Sequence, residues 1–283
     1  MTAFTYKHII VFGLAASCIV LLNLVPTFPS EGKNAALVKQ QQQQGPGVDE
    51  LVKTARSKMA PDLAGKVTTI ENAIATERDF SKRGQMYDSL ITLLGRNKEY
   101  LVAAWYAEQK AVKNNGSGSD WEQAGERYRT SASFEQNDAV LPSVYAAAMR
   151  CFSKALELEP SNVDAKIGLG ICYVEGTSDP MTGIGMLLDV ERADSTNVNV
   201  QLALADFAVR SQQYDKAIAR YSKALRLKPE YYGLHLNLAE LYQQMGDTAS
   251  AISHLEEYVK LENDPLVKND VENAIRQLRG NKQ

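Results

Sequence analysis

The chain has 283 residues, of which 45% are apolar, and a formal net charge of −3 at pH 7. Such a balance can bury an ordinary core, and 31 lysines and arginines against 34 aspartates and glutamates leave no basic field for nucleic acid. Three cysteines and three histidines, none in a motif spacing, leave no CxxC redox pair, no CxxCH haem site and no local metal motif.

From Ile9 to Val25 no residue is charged, and only Ser17, Cys18 and Asn23 are mildly polar. Continued to Phe28, the run reaches the length that crosses a bilayer. Lys7 and His8 would also suit the start of a cleaved signal peptide, but the run is long for that role and no A-x-A site follows. Cys18 raises a third reading, lipidation, which the apolar residues after it oppose. The expectation is a retained single-pass anchor over 1–28. Lys7 on one side nearly balances Lys33 and Lys39 on the other, so orientation rests on the shortness of the tail. That tail stays in the cytoplasm and the rest is exported. In a bacterium this gives an inner-membrane protein whose folded part faces the periplasm. Residues 29–47, with their prolines, glycines and the Gln40 to Gln44 run, lack apolar periodicity and read as a tether.

Residues 48–83 read as two helices. Pro61 stands at a first helical position, and Leu63, Val67, Ile70 and Ile74 form one apolar stripe. Beyond them the chain repeats itself. FSKALELEP (Phe152 to Pro160) returns as YSKALRLKP (Tyr221 to Pro229). A copy lies halfway: Leu169, Gly170 and Tyr173 lead into Leu204, Ala205 and Ala208, and again into Leu238, Ala239 and Tyr242. The period is thirty-four residues, with one extra in one copy. A fixed period of this length means one helical unit stacked several times.

Five units follow, at 84–117, 118–162, 163–197, 198–231 and 232–263. The first is degenerate, built on Tyr87, Leu90, Leu94, Tyr100 and Ala103. The second carries extra residues around Ser131 to Ser143, expected as a long internal loop. In the third, Gly183 and Gly185 stand where a helix former belongs and predict a weak hairpin. Residues 264–283, with Leu266, Val271, Ile275 and Leu278 before Gly280, read as a solvating cap.

Trp121, Gly125 and Tyr128 followed by Ala148, Phe152, Ala155 and Pro160 resemble the tetratricopeptide repeat. So do Gln201, Leu204, Tyr214, Ala217, Tyr221, Ala224 and Pro229, and Leu238, Tyr242, Gly246, Ala251 and Leu255, whose closing proline is displaced to Pro265. The resemblance implies an all-α, right-handed superhelical solenoid of helix–turn–helix units behind the N-terminal transmembrane helix. It further implies a concave groove lined by the first helices. Its places here are Glu122, Glu126, Ile167, Ile171, Leu202, Asp206, Leu236 and Glu240. Members that clamp a chaperone's terminal carboxylate use Lys, Asn and Arg at those places, and none stands there. An apolar groove with acidic margins suits an amphipathic helix or extended segment bearing positive charge. The competing reading is that Ile167, Leu202 and Leu236 are core.

No catalytic constellation accompanies the repeats. GLGICYVEG (Gly168 to Gly176) falls inside a helix and is no phosphate loop. Cys151 and Cys172 read as buried small hydrophobes, although an oxidising compartment would let them pair, and His235 reads as a packing residue without a metal-type partner. The expected function is a non-enzymatic, membrane-tethered scaffold for a protein or peptide ligand, with no cofactor, metal or nucleic acid. Two alternatives are an assembly subunit of an envelope machine such as cytochrome c maturation, and a self-associating structural protein.

Overall fold

The computed structural model describes residues 47–280. The expected anchor, and the tether as far as residue 46, lie outside the described residues. Among the described residues no helix is long and apolar enough to cross a membrane. They form thirteen helices and no strand.

Helices α1 (Val48–Ser57) and α2 (Pro61–Thr76) precede five hairpins. The hairpins are α3 (Phe80–Arg96) with α4 (Tyr100–Lys113), α5 (Gly118–Phe134) with α6 (Leu141–Leu158), and α7 (Val163–Gly176) with α8 (Pro180–Ala193). Two more follow: α9 (Val198–Arg210) with α10 (Tyr214–Leu227), and α11 (Leu234–Gln244) with α12 (Thr248–Leu261). Helix α13 (Pro265–Gly280) lies against α12 and closes the array. Each first helix packs on its own second helix and on the second helix of the unit before it, the nearest-neighbour arrangement of a solenoid.

The helix ends are written in short polar residues. Asn162 and Asn197 accept the backbone N–H of Ala165 and Val200 at 2.8 and 3.0 Å, satisfying orphan donors at the starts of α7 and α9. Ser117 and Asp120 form a reciprocal capping box on α5. The turns inside three hairpins need a left-handed residue, supplied by Lys98, Gln212 and Gly246.

Close approach between helices relies on small side chains. Ala148, Ala155, Ala217, Ala224 and Ala251 are all fully buried at helix contacts. The Phe152 ring of α6 is seated between α5 and α7, where a Cβ on Gly125 would come within 2.9 Å of it and one on Gly168 within 2.4 Å.

Buried polar groups join successive units in two places. The Glu108 carboxylate of α4 accepts from the Tyr128 hydroxyl of α5 at 2.7 Å and from the Arg150 guanidinium of α6 at 2.8–3.1 Å. The second knot has the same topology. Glu191 of α8 accepts from the fully buried Gln201 of α9 at 2.9 Å and from Arg220 of α10 at 2.7 and 3.2 Å. A glutamine thus fills the place a large apolar residue holds in the pattern, and it is tolerated because each end of its amide is bonded.

The expected long loop at 131–143 is corrected. Ser131 and Ala132 continue the buried stripe of Ala124 and Tyr128, so α5 runs on to Phe134. Leu141 and Val144 start α6 early and join the buried cluster that also holds Val48 and Val52 of α1, a helix in contact with α6. The extra residues lengthen two helices, leaving only 135–140 between them.

The two glycines of the third hairpin differ. A Cβ on Gly183 would lie 2.3 Å from the Gly170 carbonyl, so α7 and α8 touch backbone to backbone there, whereas Gly185 faces open space. Gly183→Ala is expected to destabilise the protein by about 1–3 kcal/mol through overpacking. Gly185→Ala should stabilise it by about 0.5–1 kcal/mol through helix propensity. Urea unfolding of the two variants checks both signs; equal effects would refute the assigned contact.

Candidate binding cleft

Helices α5, α7 and α9 are the first helices of three successive units, and one face of each opens onto a common cleft of about 360 Å³. Helical spacing selects the face. Glu122, Glu126 and Arg129 follow one another up α5 at four- and three-residue steps. On α7 the sequence is Asp164, Ile167, Gly168, Ile171, and on α9 it is Asn199, Leu202, Ala203, Asp206, the same pattern one repeat later. The small residues Gly168 and Ala203 let the cleft floor sit deep, and Ile167, Ile171 and Leu202 make it apolar.

Six of the eight expected groove residues therefore meet in one place: Glu122, Glu126, Ile167, Ile171, Leu202 and Asp206. Leu236 and Glu240 do not line it. Leu236 instead packs with Ala239, Leu255 and Ile275 in the core of the last unit. Ile167 is buried and also belongs to a core cluster with Leu187 and Val200, so floor and core are the same side chains at that point. Arg129, Asp164 and Asn199 were not anticipated. The signal for the last two lay in the repeat itself, since they occupy equivalent first-turn positions of α7 and α9.

Four carboxylates and one guanidinium face the cleft. Arg129 is neutralised within it, since its Nε donates to Glu126 at 2.8 Å and its Nη2 to the other carboxylate oxygen at 2.5 Å. Asn199 is likewise engaged, its amide donating to Asp164 at 3.1 Å. The two side chains able to grip a carboxylate are thus tied down, and the remaining negative charge dominates. Burial raises the Glu122 carboxyl above its ordinary range, and neighbouring Asp164, Glu126 and Glu159 push the same way. Asp206 is open to the cleft on one side and walled by protein on others. Crowding raises its carboxyl, while the Tyr221 hydroxyl bonded to it and Arg210 pull partly back. Carboxylates over an aliphatic floor bind cations that carry apolar neighbours. Among the described residues no group of three or more His, Cys, Asp or Glu is arranged to hold a metal ion.

Residues 208–269 match the family model for the tetratricopeptide repeat. Solved structures share the architecture. A tetratricopeptide repeat protein from Parabacteroides merdae is 14% identical, with 86% of this chain and 87% of that one covered at a TM-score of 0.53. PilW, described as a widely conserved type IV pilus biogenesis factor, is 18% identical over 70% of this chain and 86% of its own, at 0.51. A thermophilic protein of the same repeat class from Thermus thermophilus is 17% identical over 69% and 98%, at 0.50. No curated protein sequence matches.

The raised carboxyls set the sign of a pH effect. A carboxyl held above the ordinary value of about 4 loses its charge at a higher pH than usual. A cationic ligand should therefore weaken as pH falls toward the carboxylate range, before ordinary surface carboxylates respond. Over the same window the empty cleft should gain stability, because ionised Glu122 and Asp206 are disfavoured by folding. Binding titrations and thermal melts across that range check the two opposite slopes.

Proposed function

We propose that this chain, a tetratricopeptide-repeat protein, is a non-catalytic scaffold whose cleft holds a segment of another protein carrying positive charge beside aliphatic side chains. The observation that carries the reading is the cleft itself. Its negative charge is not cancelled from within, and Ile167, Ile171 and Leu202 give a ligand apolar surface to cover. Charge sets which segments are admitted, and burial on the floor supplies affinity. The apolar run from Ile9 to Phe28 and the polar stretch after it support a tethered scaffold, held at a membrane with its solenoid exported. The likeness to the pilus biogenesis factor is one of fold and names no partner for this chain.

The test uses full-length protein in detergent and a short labelled peptide with lysines flanking Leu and Val. Its control is the same peptide with glutamates in place of the lysines. Anisotropy should show the lysine peptide binding at least about tenfold more tightly, a difference of about 1.4 kcal/mol. Glu122→Lys with Asp206→Lys should abolish that preference without loss of helicity. Equal binding of the two peptides to the native protein would overturn the reading.

A further inference from the structure

The last hairpin brings together two side chains that are nineteen residues apart in sequence. His235 lies in the first turn of α11 and His254 in the middle of α12, and their Nδ1 atoms are 2.9 Å apart. The sequence holds no local metal motif because the turn between the helices, not a short spacing, makes the pair. Tyr242, two turns beyond His235 on the same face of α11, stacks on the His254 ring at 5.5 Å and 13°, fixing its plane. Both rings are half-buried, and burial keeps them neutral at ordinary pH. Glu257 stands one turn beyond His254 in an ion pair with Lys260 at 2.6 Å, and its negative charge is felt at both rings.

We propose that His235 and His254 form a two-imidazole site for a divalent late transition metal, with Cu²⁺ or Ni²⁺ as the fitting class. Donor chemistry decides the class, and the spacing is compatible with it. Two nitrogens 2.9 Å apart, each about 2.0–2.1 Å from a metal, subtend about 90° at it. That is the angle between adjacent ligands of a square-planar or octahedral ion, so the pair needs little spreading to hold one. Imidazole suits these metals, and the divalent series places Cu²⁺ highest. Without metal, one ring donates its Nδ1 proton to the other, which holds the pair together in advance. On binding, that proton moves to Nε2 of the same ring, so each Nδ1 offers a lone pair and no net proton leaves the neutral pair. Water fills the remaining positions. Bound metal would staple α11 to α12 at the end of the solenoid.

The test is titration of the full-length chain in detergent with CuSO₄, NiCl₂ and ZnSO₄, in a His8→Gln background that removes the third histidine. Calorimetry should give one Cu²⁺ per chain, bound at least tenfold more tightly than Zn²⁺. The Cu²⁺ electron paramagnetic resonance spectrum should show coupling to two ring nitrogens. His235→Gln or His254→Gln should each weaken Cu²⁺ at least tenfold, and Cu²⁺ should raise the melting temperature only where both histidines remain. Undiminished Cu²⁺ affinity in the double variant would overturn the site, as would Zn²⁺ binding as tightly as Cu²⁺. Should the variants fail to fold, the spectrum of the His8→Gln protein decides alone: coupling to fewer than two ring nitrogens refutes the proposal.

Discussion

How closely one helix can lie on the next governs the rest of this molecule. A solenoid has no central core, so each hairpin must bury its apolar stripe against two neighbours, and the depth of that contact depends on what its surface lacks. Alanines at 148, 155, 217 and 224, and the space above Gly125 and Gly168, remove the side chains that would hold helices apart. The Phe152 ring then enters the gap and fixes the stagger of α5 against α7. That stagger brings Glu122, Ile167 and Leu202 onto one concave face. The cleft is therefore a by-product of packing as much as a shaped site, which is why Ile167 serves both.

Charge is distributed by a different logic at the joints than in the cleft. At the joints, Glu108 and Glu191 are each satisfied by an arginine and a second hydrogen-bond donor from the following unit. Removing a partner of buried Glu108 would leave its charge uncompensated, so that knot favours one register of adjacent units, with the half-buried Glu191 knot repeating the arrangement. Among the residues lining the cleft, Arg129 is the one base beside four carboxylates, and it is held by Glu126. The first arrangement is closed on itself. The second is left open to an outside cation.

Much of this was legible in the chain because repetition converts a weak pattern into a strong one. The period placed the small residues and aligned six residues that line one cleft, since any residue on a first helix inherits the face of its equivalents. What escaped depended on three-dimensional accidents. Leu236 has the right place in the repeat, but Leu255 and Ile275 draw it into the last core cluster. The added residues near Ser131 look like a loop until α1 is known to contact the extended α6. Arg129 sits one turn beyond the place where the pattern directs attention, and the two histidines meet only across a turn whose geometry no spacing encodes. The anchor and tether rest on composition alone.

The buried side chains are unevenly shared along the array. One continuous cluster runs from Val48 to Met186, while the remaining units are held by three small groups centred on Val200, Tyr221 and Leu255. In a chain of nearest-neighbour contacts, cooperativity follows that partition. The larger shared cluster favours joint melting of the N-terminal half, and the smaller clusters favour separate melting of the later hairpins. A protease or a pulling force would thus meet a molecule that unravels stepwise from its C-terminal end. The hairpins farthest from Val48 would be the first to yield, and the two N-terminal helices with the units they cover the last.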